Sequence, residues 1–190
     1  MTVSCSKCGA AYDAPIRQSI NVGTSPELKQ AVMSGELFVS TCPSCGERQI
    51  LTYPLVYQDP SQHLLICLSP EPISAEGYEG TARRVTDVGS LMEKVKIFDA
   101  GLDDLALELA KYVIRQEMGK NDARLKFLRL EGADNEMILT YPENGSMQMI
   151  AIGFNVYEDC RGIVQRNPAM AESARGLALI DEAWVAGFVG

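Results

Sequence analysis

Two short cysteine pairs, Cys5-Ser6-Lys7-Cys8 and Cys42-Pro43-Ser44-Cys45, carry the most readable chemistry in the chain. Two intervening residues let the backbone bend so that both sulfurs of a pair face one ion. Together the pairs supply four thiolates, a complete tetrahedral shell for zinc, which takes sulfur at roughly 2.3 Å and has no redox chemistry of its own. Gly9 and Gly46 follow the pairs, where the turn calls for a positive φ that glycine adopts without steric cost. The predicted metal ligands are therefore Cys5, Cys8, Cys42 and Cys45, with Zn2+ as the cofactor and no catalytic residue. A closed four-sulfur shell is the structural kind, because catalytic zinc keeps an open position for water and commonly uses histidine or carboxylate.

The pairs are 33 residues apart, more than the roughly 15 to 20 of the commonest ribbon spacing. Loop closure costs only about 0.6 kcal/mol per doubling of length, so one shared ion remains the simpler solution. The rival arrangement gives each pair its own partners, for which the chain offers His63, Cys67 and Cys160. His63 reads as an exposed loop histidine and Cys67 as a small core residue. Cys160 reads as a poorly activated turn thiol beside Glu158 and Asp159. Asp103, Asp104 and Glu108 could form a carboxylate site, although helix capping and dipole complementarity account for them. Arg115, Lys120, Arg124, Lys126 and Arg129 read as a solvated helix end and strand face, and Met147 and Met149 as sheet-packing residues.

The elements that must position the cysteines follow from local pattern. Ala10 to Ala14 is a short strand candidate. Ser25 is placed as N-cap and Pro26 at the first position of a helix that Gly35 ends. Leu37 to Thr41 is read as the strand leading into the second pair, and Arg48 to Tyr57 as the strand leaving it, interrupted at Pro54. Leu64 to Leu68 is a buried strand. A proline-, glycine- and acid-rich stretch, residues 71–83, is the linker candidate. Ser90-Leu91-Met92-Glu93 has the form of a capping box, and two helices follow, one ending at Gly101 and the next near Gly119. Leu125 to Leu130, Met137 to Tyr141 and Met147 to Tyr157 are read as antiparallel strands, with Asn144-Gly145 as a hairpin turn. Asn167-Pro168 opens a short helix ending at Gly176. Trp184 is read as a core anchor within an apolar segment left unassigned, Leu177 to Val189.

The fold class is thus α+β: a zinc-ribbon-like N-terminal module with an inserted helix (residues 1–70), then an α+β region over 84–190 comprising a helical hairpin and an antiparallel sheet. Hydrophobic residues make up 46% and charged residues 22% of 190, a composition suited to a substantial core. No apolar run reaches the roughly 18 residues a membrane span requires, and Met1 to Cys5 lacks the basic and apolar segments of a secretory signal. A cytoplasmic location is expected, where reducing conditions favour metal over disulfides. Of 25 carboxylates and 17 lysines and arginines, four of each fall within residues 1–58, leaving 21 against 13 beyond. Four metal-bound thiolates would add a net −2 to that neutral segment, a poor footprint for nucleic acid.

With these residues in view, the first part of the chain resembles the CpXC family. The resemblance rests on Cys5-Ser6-Lys7-Cys8-Gly9, Ser19-Ile20-Asn21-Val22, Pro26-Glu27-Leu28-Lys29, Gly35-Glu36-Leu37-Phe38, Thr41-Cys42-Pro43-Ser44-Cys45-Gly46 and Tyr53-Pro54-Leu55-Val56-Tyr57. It continues at Arg84-Val85, Leu91-Met92-Glu93-Lys94 and Gly101-Leu102-Asp103-Asp104 with Glu108 and Lys111, covering residues 1 to about 115. Ser6 departs from the pattern, standing where the second pair has Pro43. The resemblance implies a zinc-binding module without an established activity, and it groups the helical hairpin with that module. The expected function is a non-catalytic, zinc-stabilised binding or assembly protein with a protein partner. Nucleic-acid binding through the ribbon and zinc/thiol redox sensing are the alternatives.

Overall fold

The computed structural model describes residues 1–71 and 77–189. The fold is α+β, and by internal contacts the chain divides into residues 1–92 and 93–190.

The first unit opens with two antiparallel hairpins. One pairs β1 (Thr2–Ser4) with β2 (Ala11–Asp13). Between the hairpins lie β3 (Ser19–Asn21) and α1 (Glu27–Met33). Ser25 does not cap α1 with its side chain; Pro26 holds the N-cap position, and the Ser25 carbonyl accepts the Leu28 N–H instead. The second hairpin pairs β4 (Val39–Thr41) with β5 (Arg48–Ile50). The strand expected from Leu37 is shorter, because Glu36–Phe38 make a 3-10 turn that buries Phe38. Pro54 separates what the sequence presents as one strand into two that join different sheets: β5 stays in its hairpin, and β6 (Leu55–Asp59) enters a larger one.

In that larger sheet β6 pairs parallel to β3 and antiparallel to β7 (Leu64–Leu68), and β7 pairs parallel to β8 (Thr81–Val85). All five residues of β7 are buried, as a continuous apolar run between two neighbours requires. Of the stretch read as a linker, residues 72–76 lie outside the described residues, while Thr81 to Arg83 belong to β8.

Helix α2 (Val88–Asp99) starts earlier than the Ser90 capping box predicts. Asp87 is its cap, accepting the Ser90 N–H at 2.8 Å and the Ser90 hydroxyl at 2.7 Å. Glu93 is thereby released from capping and lies buried inside the second unit.

That unit contains α3 (Asp104–Met118), capped by Asp103 and ended by Gly119 in the left-handed region. Strands β9 (Lys126–Glu131), β10 (Glu136–Glu143) and β11 (Ser146–Ile152) form an antiparallel sheet in the order β11-β10-β9. Asn144 and Gly145 both take positive φ, the conformation a two-residue hairpin turn demands. The third strand ends at Ile152 rather than Tyr157. Gly153 breaks it, and Phe154 opens α4 (Phe154–Gln165), which buries Tyr157, Cys160 and Val164 at helical spacing. Helix α5 (Pro168–Ser173) and β12 (Leu177–Ala178) follow. The apolar tail left unassigned by pattern closes the unit as α6 (Glu182–Val189). Leu105, Leu109, Ile114, Phe127, Met137, Leu139 and Val185 join the α4 residues in one core. Trp184 packs at its border, half-buried, with its Nε1–H donated to Ser173 Oγ at 2.9 Å.

Candidate metal centre

Each cysteine pair sits at the tip of one hairpin, and the two tips are built alike. In the first, the Cys5 N–H donates to the Ala10 carbonyl and the Gly9 N–H to the Cys5 carbonyl, both at 2.9 Å. In the second, Cys42 N–H donates to Glu47 and Gly46 N–H to Cys42, at 2.8 and 2.9 Å. Gly9 and Gly46 have φ of +72° and +74°, so both turns use the left-handed conformation that side-chain-bearing residues resist. This repeated tip turns two local sequence signals into two equivalent pairs of sulfur donors.

Across 33 intervening residues the tips converge. All four sulfurs lie within 4.8 Å of one another. Cys5 Sγ is 3.6 Å from Cys45 Sγ, and Cys8 Sγ is 3.7 Å from Cys42 Sγ. These separations are far from the roughly 2.05 Å of a disulfide. They match the edge, about 3.8 Å, of a tetrahedron with metal–sulfur bonds of roughly 2.3 Å. All six cysteines are free. Cys5, Cys8, Cys42 and Cys45 could therefore hold one metal ion. Within each pair the first cysteine is a buried residue and the second an exposed one, while the sulfur contacts themselves are part-buried.

Thiolates at such a cluster need partners for their charge. The N–H groups of Cys8 and Lys7 point at the Cys5 sulfur, the latter at 3.4 Å, and pull its thiol down to about 6. The Glu47 N–H does the same for Cys45, but hydrogen bonding of its proton to the Cys8 sulfur, burial, and the same bonding to the Cys5 and Cys42 sulfurs outweigh it and push that thiol up to about 12. Four sulfurs this close share protons unless a cation takes their place.

The hairpins also touch through side chains. Gln49 of β5 accepts the Ser6 N–H at 3.0 Å through Oε1 and donates to the Ser4 carbonyl at 3.2 Å through Nε2. Tyr12 donates to Ser40 Oγ at 3.0 Å, and Lys7 pairs with Glu47 at 3.2 Å. Sequence reasoning passed over Gln49, since nothing in a lone glutamine marks which distant backbone it will meet.

The other residues singled out by type are not part of this cluster. His63 is exposed, with φ of +49° in the turn before β7. Cys67 is buried in β7. Cys160 is not a turn thiol: it faces the core from α4, where burial and Asp159 push it up to about 11. Asp103 caps α3 as expected, accepting the Leu105 N–H at 2.8 Å. Asp104 and Glu108 are instead buried in ion pairs, Asp104 with Lys94 at 2.8 Å and Glu108 with Lys111 at 2.7 Å. Glu93 completes that group, facing Lys111 and Lys126 and accepting the Phe127 N–H. Arg115 is buried rather than solvated. Met147 and Met149 are 65% and 64% exposed, because the β11 register turns them away from the side on which Ile150 and Ile152 meet the core.

Among the described residues, no helix is long and apolar enough to cross a membrane. A family model described as CpXC protein matches residues 3–111, which includes all four clustered cysteines. No curated protein and no solved structure matches the chain.

Proposed function

The chain belongs to the CpXC family, and from its four-sulfur cluster we propose that it is a zinc-stabilised, non-catalytic binding or assembly protein. The observation that carries this reading is the tetrahedral spacing of Cys5, Cys8, Cys42 and Cys45, an all-thiolate set drawn from two sequence-distant hairpins. An all-sulfur tetrahedral set favours zinc over hard cations, which take oxygen ligands. Bound there, zinc supplies cross-linking: it would hold the tips of two hairpins whose short strands bury little of their own surface. Structural zinc contributes on the order of 10–16 kcal/mol of apparent binding energy, comparable to the whole stability of a domain. No fifth donor is needed, so the ion serves the fold rather than a reaction.

The partner is a protein rather than nucleic acid. Residues 1–58 carry no net charge and the whole chain carries −8, which opposes the phosphate neutralisation that nucleic-acid affinity depends on. A reducing, cytoplasmic setting keeps the thiolates available to the metal.

Elemental analysis of purified protein tests the metal: one zinc per chain supports the reading, and none overturns it. Affinity capture with intact protein beside a Cys42→Ser, Cys45→Ser control tests the binding role. A partner retained only by the intact form supports it. Tight low-salt binding to single-stranded or duplex DNA would overturn the choice of partner.

A further inference from the structure

The two cysteine tips are related by a constant offset of 37 residues, which sets Cys5 against Cys42, Gly9 against Gly46 and Ser6 against Pro43. In backbone hydrogen-bonding capacity the match fails at one position. Pro43 has no N–H, whereas Ser6 adds one directly after the ligand Cys5. Ser6 is exposed, so water can satisfy this donor, but an acceptor on the protein holds it in one fixed geometry beside the ligand. Gln49 supplies the acceptor. Its Oε1 takes the Ser6 N–H at 3.0 Å, and its Nε2 gives a hydrogen bond to the Ser4 carbonyl on the other side of Cys5. The amide orientation is set by these neighbours, since only the oxygen can accept from an N–H and only the nitrogen can donate to a carbonyl.

We propose that Gln49 is a positioning residue for the metal centre, which brackets Cys5 from the opposite hairpin and compensates for serine standing in place of proline in the first pair. This rests on the zinc reading above. Gln49 touches no sulfur; it fixes the backbone on both sides of one ligand, so that Cys5 is presented from a chain held in place by the other hairpin. Groups that orient a ligand from outside the coordination shell typically change metal affinity about 10–100-fold when removed.

A double-mutant cycle on the full chain tests this, using chelator competition for zinc and the absorption bands of Co2+-substituted protein. Gln49→Leu should weaken zinc about 10–100-fold and perturb the Co2+ bands, whereas Ser6→Ala, which keeps the N–H, should change affinity less than about twofold. In a Ser6→Pro background the same Gln49→Leu change should cost several-fold less, because the N–H that Gln49 holds is already gone. Zinc affinity of Gln49→Leu within about twofold of wild type would overturn the proposal, as would equal losses in the wild-type and Ser6→Pro backgrounds. If Gln49→Leu alone does not fold, a folded Ser6→Pro, Gln49→Leu protein supports the proposal, and failure of both overturns it. A wild-type chain without zinc overturns the metal reading, and this inference with it; an unaffected Gln49→Leu variant overturns this inference alone.

Discussion

Glu93 and Lys111, one on α2 and the other on α3, form an ion pair at 3.0 Å in which the side chains are only 6% and 5% exposed. Lys111 also holds Glu108 at 2.7 Å, and Glu93 also accepts the Phe127 N–H at 2.8 Å. The pair therefore ties both helices to the start of β9. Breaking a buried pair by removing one partner is costly, because the other charge stays buried without compensation.

Lys111→Met is accordingly expected to destabilise the second unit by about 3–5 kcal/mol, leaving two carboxylates in each other's field. Urea unfolding followed by the fluorescence of Trp184 measures it. A loss below about 1 kcal/mol would show that the network adds little.

Acid should act through the same pair. Burial opposes ionisation of Glu93, but Lys111, Lys126, the Phe127 N–H and Lys94 outweigh it and hold its carboxyl down at about 2, against an ordinary 4.5. A depressed carboxyl contributes stability that is complete above its ordinary value and is lost as pH falls toward its folded one. Urea midpoints should fall across that window in wild type and fall less steeply in Glu93→Gln. Burial opposes the charge on Lys111 as well, yet Glu93 and Glu108 outweigh it and raise the amine above its ordinary 10.5. Its contribution is therefore complete below that value and is lost only in stronger base.

Metal removal should act on the cysteine hairpins and spare the second unit. A chelator strong enough to strip zinc, or Cys42→Ser with Cys45→Ser, should collapse the hairpin signals of residues 1–50 in an NMR spectrum. Signals from the α3–β11 core, which contains no part of the cluster, should persist. Retention of both sets would show that the hairpins stand without the ion.

Gly9→Ala and Gly46→Ala each place a Cβ in open space, with no atom within 4 Å. Any cost is therefore backbone strain from the positive φ, about 1–2 kcal/mol at each position. Gly9→Asn should cost less, since asparagine enters the left-handed region more readily. Zinc affinity measured by competition reads the difference; equal affinity for glycine and alanine would remove the conformational argument.

Thiol labelling should distinguish the six cysteines. Cys67 and Cys160 are buried, and burial raises both thiols above their ordinary value. In metal-free protein the four cluster cysteines should react first, and Cys67 and Cys160 only when the elements that bury them unfold. Fast labelling of Cys160 would contradict its place in the α4 core.

Much of this protein could be read along the chain. The cysteine cluster was legible because coordination chemistry is local: C-x-x-C followed by glycine prescribes its own turn, and two such turns leave four sulfurs seeking one centre. Asn144-Gly145, Asp103 and Gly119 were legible for the same reason, each encoding a backbone conformation or a cap within a few residues. The start of α4 was not. Ile150 to Tyr157 is rich in β-branched and aromatic residues, which suit a strand as well as a buried helix face, and only packing against α3 decides between them.

Short spans thus carry their own chemistry in donor types, turn residues and the periodicity of long helices. Which distant groups meet is a tertiary matter. Glu93 has the spacing of a cap and becomes a buried counter-ion because Asp87 takes the cap first; Gln49 has no spacing signal and becomes a brace because two hairpins converge. One physical cause underlies both. A side chain's hydrogen-bonding capacity is written in its type, but its partner is set by chain reversals dozens of residues away.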